Sequence, residues 1–193
     1  MKRVGILALQ GDFEAHGKAL ARVGAEPIFV RAARDLSNID GLIIPGGEST
    51  TMLKLLRAEN MVAPLEEFGR THPIFGTCAG VILLAKAVSN PAQESLGLLD
   101  LDVERNGYGR QIDSRVAIIE PSADFAVRTG ERRNLEAVFI RAPIVRRIGP
   151  GSRVLAEYQG NPVLVEQGRH LAATFHPELT SDSRVHELFL TKL

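Results

Sequence analysis

The 193-residue chain contains one cysteine, Cys78. A lone thiol cannot close an internal disulfide, so Cys78 is either a small buried hydrophobe or a chemical group. Excess charge of either sign is also missing, because 23 Lys and Arg balance 23 Asp and Glu. That balance removes any general attraction to nucleic acid or to an anionic membrane surface. No apolar run approaches the roughly 18 to 20 residues of a membrane span, and the opening MKRVGILALQGDF lacks the length and cleavage site of a signal peptide. A cytoplasmic protein is expected. Histidine, cysteine and carboxylate clusters with zinc-ligand spacing are lacking, so no metal is expected. No repeat or low-complexity linker divides the chain, and its balance of hydrophobic and charged residues suits one domain spanning 1–193.

What is present is an alternation. The apolar run RVGILAL (3–9) ends at Gln10-Gly11, a helix is predicted from Asp12 to Val23, and Gly24 closes it. EPIFVR (26–31) and GLIIP (41–45) are continuous apolar runs, the pattern of strands buried on both faces of a parallel sheet. Helices are predicted near 49–59 and 62–70, then a strand PIFGT (73–77) and a helix from Ala79 to about Val88. This order predicts an α/β fold, a doubly wound and mainly parallel sheet flanked by helices. From 100 to 168 the character changes. DLDVERN, RQIDSRVAIIE, LEAVFIRAP, SRVLAEYQG and PVLVEQG contain strands with no long helical pattern between them, so an added antiparallel hairpin region is expected. The apolar strand HLAATFH (170–176) follows, and an amphipathic helix from about Asp182 carries Val185, Leu188 and Phe189 on one face.

In open α/β sheets reactive groups collect beyond the carboxyl ends of the strands. Four such ends stand out: Gln10-Gly11, PGGES (45–49), Cys78 and FHPE (175–178). Gly76-x-Cys78-x-Gly80, between a strand and a helix, has the form of a nucleophile elbow, where small neighbours permit a strained turn that lifts the side chain above the sheet. A helix N-terminus favours thiolate there; a buried cysteine in a glycine-rich turn is the plainer alternative. Pro177 pushes His176 toward extended backbone, and residues i and i+2 of an extended chain face the same way. His176 and Glu178 then form a base and its orienting carboxylate for the Cys78 thiol. His16, His72, His170 and His186 have no comparable setting and are expected to be structural. The amides of Gly47 and Ala79 are candidates for an oxyanion hole, although Gly46-Gly47 alone suits a simple turn. PGGEST lacks the ending of a P-loop, and Ser49 or Thr50 suits a helix N-cap.

Taken together, LALQGDF (7–13), PGGESTTM (45–52), GTCAG (76–80), VERNGYGRQ (103–111), VFIRAP (138–143) and FHPELT (175–180) resemble the class I, or triad-type, glutamine amidotransferases. The branch most similar is the glutaminases that serve pyridoxal 5′-phosphate (vitamin B6) synthesis. The blocks span nearly the whole chain. The resemblance implies hydrolysis of L-glutamine to L-glutamate and ammonia, with no cofactor. It also implies transfer of the ammonia to a separate pyridoxal 5′-phosphate synthase subunit within a large hetero-oligomer. It makes Cys78 the nucleophile and His176 with Glu178 its relay, and it carries glutamine contacts onto Gly47, Glu48, Ser49, Arg105, Ile140 and Arg141. A guanidinium pairs a carboxylate in two-pronged geometry, which suits Arg105 and Arg141 to the α-carboxylate or to support of the pocket. Gln10, at the end of the first strand, is a candidate support of the oxyanion loop. A thiol hydrolase or peptidase, or a regulatory subunit without turnover, remains the alternative on the same fold.

Overall fold

The computed structural model describes residues 1–106 and 114–193. Its first half runs β1 (Arg3–Leu7), α1 (Phe13–Arg22), β2 (Glu26–Val30), β3 (Gly41–Ile44), α2 (Ser49–Ala58), α3 (Val62–Thr71), β4 (Ile74–Thr77) and α4 (Ala79–Leu84). The second half adds β5 (Ala85–Ser89), β6 (Leu99–Glu104), β7 (Arg115–Ile119), α5 (Ala123–Thr129), β8 (Leu135–Phe139), β9 (Ile144–Ile148), β10 (Ser152–Tyr158), β11 (Asn161–Gln167), β12 (His170–Ala173) and α6 (Arg184–Leu190).

Seven strands form the main sheet in the order β10-β11-β12-β4-β3-β1-β2. The five from β12 to β2 are parallel, and β11 and β10 extend them as an antiparallel meander. Successive residues of a strand face opposite sides, and here both sides are core. Leu42, Ile44 and Ile74 pack with Met52, Leu56, Leu65 and Val81 from α2, α3 and α4. Ile43, Phe75, Val4 and Ile6 pack with Leu20 of α1 and Val185, Leu188 and Phe189 of α6. Burying one such side chain contributes about 1.5–3 kcal/mol, which is why these strands read as unbroken apolar runs. Two smaller sheets, β5-β6-β9 and β7-β8, stand where an antiparallel hairpin region was expected; β6-β9 and β7-β8 are antiparallel, but β5 pairs with β6 in parallel. No helix among the described residues is long and apolar enough to cross a membrane.

Several expectations need correction. β2 is an edge strand rather than one buried on both faces: Phe29 is 38% exposed, and Pro27 fits an edge because it brings no ladder donor. The helix expected from Ala79 to about Val88 stops at Leu84, since residues from Ala85 pair with β6 and the Ala85 carbonyl accepts from Ser95 Oγ at 2.6 Å. α5 lies in a region where only strands were expected. Ser122 Oγ accepts from Phe125 N–H at its start and Gly130 closes it at φ +74°, a cap-and-stop signal over a stretch too short to show a period. β9 was not expected either. It pairs antiparallel with β6, and the alternation of IVRRI is brief. Part of RQIDSRVAIIE and of VERNGYGRQ lies outside the described residues.

Candidate active site

β1, β3, β4 and β12 lie side by side, so the residues just after their carboxyl ends converge over one edge: Gln10, Gly46-Gly47, Cys78 and His176. Cys78 occupies φ +47°, ψ −107° between β4 and α4. A non-glycine residue there stores on the order of 1–3 kcal/mol of strain, and neighbouring bonds hold it in place. Cys78 N–H donates to the Ala173 carbonyl at 2.9 Å, and its own carbonyl accepts from Val81 N–H at 3.0 Å. The glycines of the frame are there for room. A Cβ on Gly80 would meet the Ile44 carbonyl at 2.1 Å, and one on Gly76 would meet Gly80 at 2.8 Å. The thiol is nearly buried and directs its hydrogen toward the Ile140 carbonyl at 3.6 Å.

Opposite it stands His176, also buried. Both side chains crowd Gly46, whose absent Cβ would lie 2.4 Å from His176 Cε1 and 3.3 Å from Cys78 Cβ. His176 Nδ1 lies 2.7 Å from Glu178 Oε1, so Nδ1–H donates to the carboxylate and Nε2 is the nitrogen left to exchange a proton. Nε2 is buried with no hydrogen-bond partner among the described residues. The pairing arises differently from the expected extended chain. His176, at φ −108° and ψ 86°, is not fully extended, and Pro177–Leu179 forms a 3-10 turn that curls Glu178 back under the ring. Burial lowers the His176 pKa, yet Cys78 and Glu178 outweigh it and push the value up to about 10. Burial likewise raises Glu178, but His16 and then His176 overcome it and hold the carboxyl below its usual range.

The loop after β3 forms the facing wall. Gly46 N–H donates to Thr77 Oγ1 at 3.1 Å and Glu48 N–H to Gln10 Oε1 at 3.0 Å, so the Gly47 peptide is pinned on both sides. Glu48, rather than Ser49 or Thr50, is the N-cap of α2, its carboxylate accepting from Thr50 and Thr51 N–H. Ser49 begins the helix and donates to Gln93 Oε1 at 2.9 Å, a contact with no signal in the sequence. Arg105 reaches across to Glu48 Oε1 at 3.3 Å and Thr50 Oγ1 at 3.0 Å.

These walls enclose a pocket of about 270 Å³ lined by Gln10, Gly47, Glu48, Ser49, Cys78, Ala79, Arg105, Ile140, Arg141 and His176, with Asp12, Ile82 and Asn106. The volume sits just below the usual range for small-molecule sites, a size for an amino acid rather than a peptide. Every site residue expected from the sequence lines it except Glu178, which stands behind His176. Asp12, His176 and Glu178 also offer ligand atoms within 4.8 Å of one another, a grouping that sequence spacing did not show. Two of those three already bond each other, so an ion there would displace the His176–Glu178 contact. His16, expected to be structural, is fully buried, with Nε2 3.4 Å from Glu178 Oε2.

A nucleophile elbow facing an imidazole–carboxylate pair, on a parallel sheet extended by an antiparallel meander, is the architecture of the class I glutamine amidotransferases. A solved structure described as a glutamine amidotransferase superimposes with a TM-score of 0.88 and 45% identity, covering 98% of this chain and 97% of its own. The chain belongs to the SNO glutamine amidotransferase family, whose profile matches residues 6–193. It is 67% identical over 193 residues to a protein of Solibacter usitatus named pyridoxal 5′-phosphate synthase subunit PdxT, all of each chain being covered. A protein of the same name from Koribacter versatilis is 55% identical over 188 residues, 97% of this chain and 94% of its own. A structure described as PurLQS from Thermotoga maritima shares the fold alone, with a TM-score of 0.72 at 16% identity, covering 98% of this chain and 98% of its own.

Proposed function

We propose that this chain is the glutaminase of a pyridoxal 5′-phosphate synthase, hydrolysing L-glutamine to L-glutamate and ammonia. The observation that carries the reading is the crowding of Cys78 and His176 against Gly46, with Glu178 2.7 Å behind the imidazole. His176 takes the Cys78 proton, and the thiolate attacks the side-chain carbonyl carbon of glutamine. The oxyanion that forms is held by the amides of Gly47 and Ala79. His176 then gives its proton to the departing ammonia, leaving a glutamyl thioester. Water, deprotonated by the same imidazole, cleaves the thioester and frees glutamate and the thiol.

Gly47, Glu48, Ser49, Arg105, Ile140 and Arg141 hold the substrate. The Glu48 side chain does so indirectly, since it caps α2 and pairs with Arg105. Gln10 supports the oxyanion wall through its bond from Glu48 N–H. If Gln10→Ala leaves glutaminase activity in the complex unchanged, that role is wrong.

The names of the relatives support transfer of the ammonia to a synthase subunit, within a hetero-oligomer. The pocket mouth at the strand ends is the proposed docking face. Of Arg128, Arg132, Arg133, Arg146 and Arg147, a basic cluster that could otherwise meet an acidic partner, four are held in internal ion pairs: Arg128 with Glu166, Arg133 with Glu131, Arg146 with Glu104, and Arg147 with Asp100 and Asp102. A single domain over 1–193 and a cytoplasmic site of action complete the reading, the second because a lone reactive thiol persists in a reducing compartment.

The test is glutamate release from L-glutamine by the chain alone and with a pyridoxal 5′-phosphate synthase subunit, beside Cys78→Ala. Activity that rises with the partner and vanishes in the variant is expected. Absence of glutamate under both conditions refutes the reading.

A further inference from the structure

Behind Glu178 the fold buries two histidines that the proton transfers above leave unused. His16 on α1 and His186 on α6 are both fully buried, with His16 Nδ1 3.1 Å from His186 Nε2. His16 Nε2 lies 3.1 Å from Thr77 Oγ1 and 3.4 Å from Glu178 Oε2. Thr77 Oγ1 in turn accepts from Gly46 N–H at 3.1 Å. One buried network therefore joins the carboxylate of the relay to the turn that carries Gly47.

The chemistry of the groups assigns the protons. An ionised carboxylate only accepts, and Glu178 Oε2 is buried without a satisfied hydrogen bond, so the ring nitrogen facing it must be an N–H. That places the His16 proton on Nε2 and leaves Nδ1 as acceptor, for which His186 supplies Nε2–H. His186 Nδ1 is then a bare lone pair, in keeping with its lack of a partner among the described residues. Burial lowers both pKa values, that of His186 to about 3, so both rings are neutral. The charged or titratable groups bearing on His16 are Glu178, His176 and Asp12, with Arg22 bearing on His186.

We propose that His16 is a positioning residue of the glutaminase: its Nε2–H, fixed by His186, is shared between Glu178 Oε2 and Thr77 Oγ1 and aims the carboxylate at His176. The physical need is plain. The terminal torsion of a glutamate is broad, and a bond to Oε1 alone lets the group swing about that contact. A second donor at Oε2 removes the freedom and favours the anion. This inference rests on the glutaminase reading of Cys78, His176 and Glu178.

The experiment compares His16→Gln, which returns an N–H near the position of Nε2, with His16→Leu, which removes the donor. Both are assayed over a range of pH in the complex with the synthase. His16→Leu is expected to lower kcat by about 10- to 100-fold, the scale of a small misplacement of catalytic groups, with KM little changed. Its acid limb of kcat/KM should move toward neutral pH, because Glu178 loses a group that favours its ionised form. His16→Gln should recover most of the rate and return the limb. An unmoved limb in a folded His16→Leu protein, or equal losses in both variants, overturns the proposal. Should His16→Leu not fold, nitrogen NMR of the wild-type imidazoles decides: Nε2–H at His16 upholds the assignment and Nδ1–H overturns it. Wild-type protein that makes no glutamate is a separate failure, of the glutaminase reading itself.

Discussion

Gly46 and His176 occupy adjoining space so tightly that a Cβ on the glycine would lie 2.4 Å from Cε1 of the ring. Gly46→Ala must therefore push the imidazole away from Cys78 or distort the turn before Gly47. A displacement of about 1 Å at catalytic groups costs on the order of a hundredfold in rate. We expect at least that loss of kcat in Gly46→Ala, with circular dichroism like that of the wild type. A variant of undiminished kcat would show that His176 works from another position.

Glu178→Gln tests the carboxylate by charge rather than by shape. The His176 pKa, raised to about 10, should fall, so the alkaline limb of kcat/KM should move to lower pH. A drop in kcat of up to about 10⁴-fold is expected, as in other triads that lose their acid. Stability follows the same charge. A raised histidine pKa favours the fold in full below the ordinary value of 6.5 and loses its effect as pH rises through about 10. The stability gap between wild type and Glu178→Gln should shrink across that interval in urea titrations.

Glu48 caps α2 with a half-exposed carboxylate. Burial raises its pKa, but bonds from Thr51 and Thr50 prevail and lower it to about 2. Glu48→Ala should cost about 0.5–2 kcal/mol, the usual value of a cap, toward the lower end because solvent screens the charge. A depressed acid favours the fold above its ordinary pKa of 4.5, so the difference from wild type should fade as pH drops toward about 2. KM for glutamine should rise as well, since Arg105 loses the carboxylate that orients it.

His170, at the other end of β12, accepts from Ile74 N–H through Nδ1 at 3.1 Å, and burial, aided by Arg169 and Lys192, lowers its pKa to about 4. Protonation breaks that bond, so stability due to the neutral ring is complete above pH 6.5 and is lost as pH falls toward 4. His170→Asn keeps an acceptor near the Nδ1 position and cannot titrate. The pH slope of its urea midpoint between 6.5 and 4 should be shallower by about one proton, or about 1.4 kcal/mol per pH unit. Parallel slopes would mean that His170 titrates normally.

Local chemistry was legible. The β/α alternation, the glycine frame of Cys78 and the His176-x-Glu178 pair depend on residues a few positions apart, where sterics and hydrogen bonding act without help from the rest of the chain. Short or hidden elements were not legible. α5 has seven residues and β9 five, lengths at which periodicity cannot separate helix from strand from loop. The end of α4 at Leu84 was set by the pairing of β5 with β6 rather than by its own residues.

Sequence alone singled out Cys78 and His176 as candidates and most of the order of strands and helices, because each is encoded within a turn or two of chain. It took the folded sheet to place Cys78 beside His176, by pairing β12 in parallel with β4. Folding also turned a histidine of α1 toward the carboxylate after β12, and moved the cap of α2 from the expected hydroxyls to Glu48. The reason is that such contacts come from strand order and helix rotation, which the whole core fixes at once as both faces of the sheet are buried.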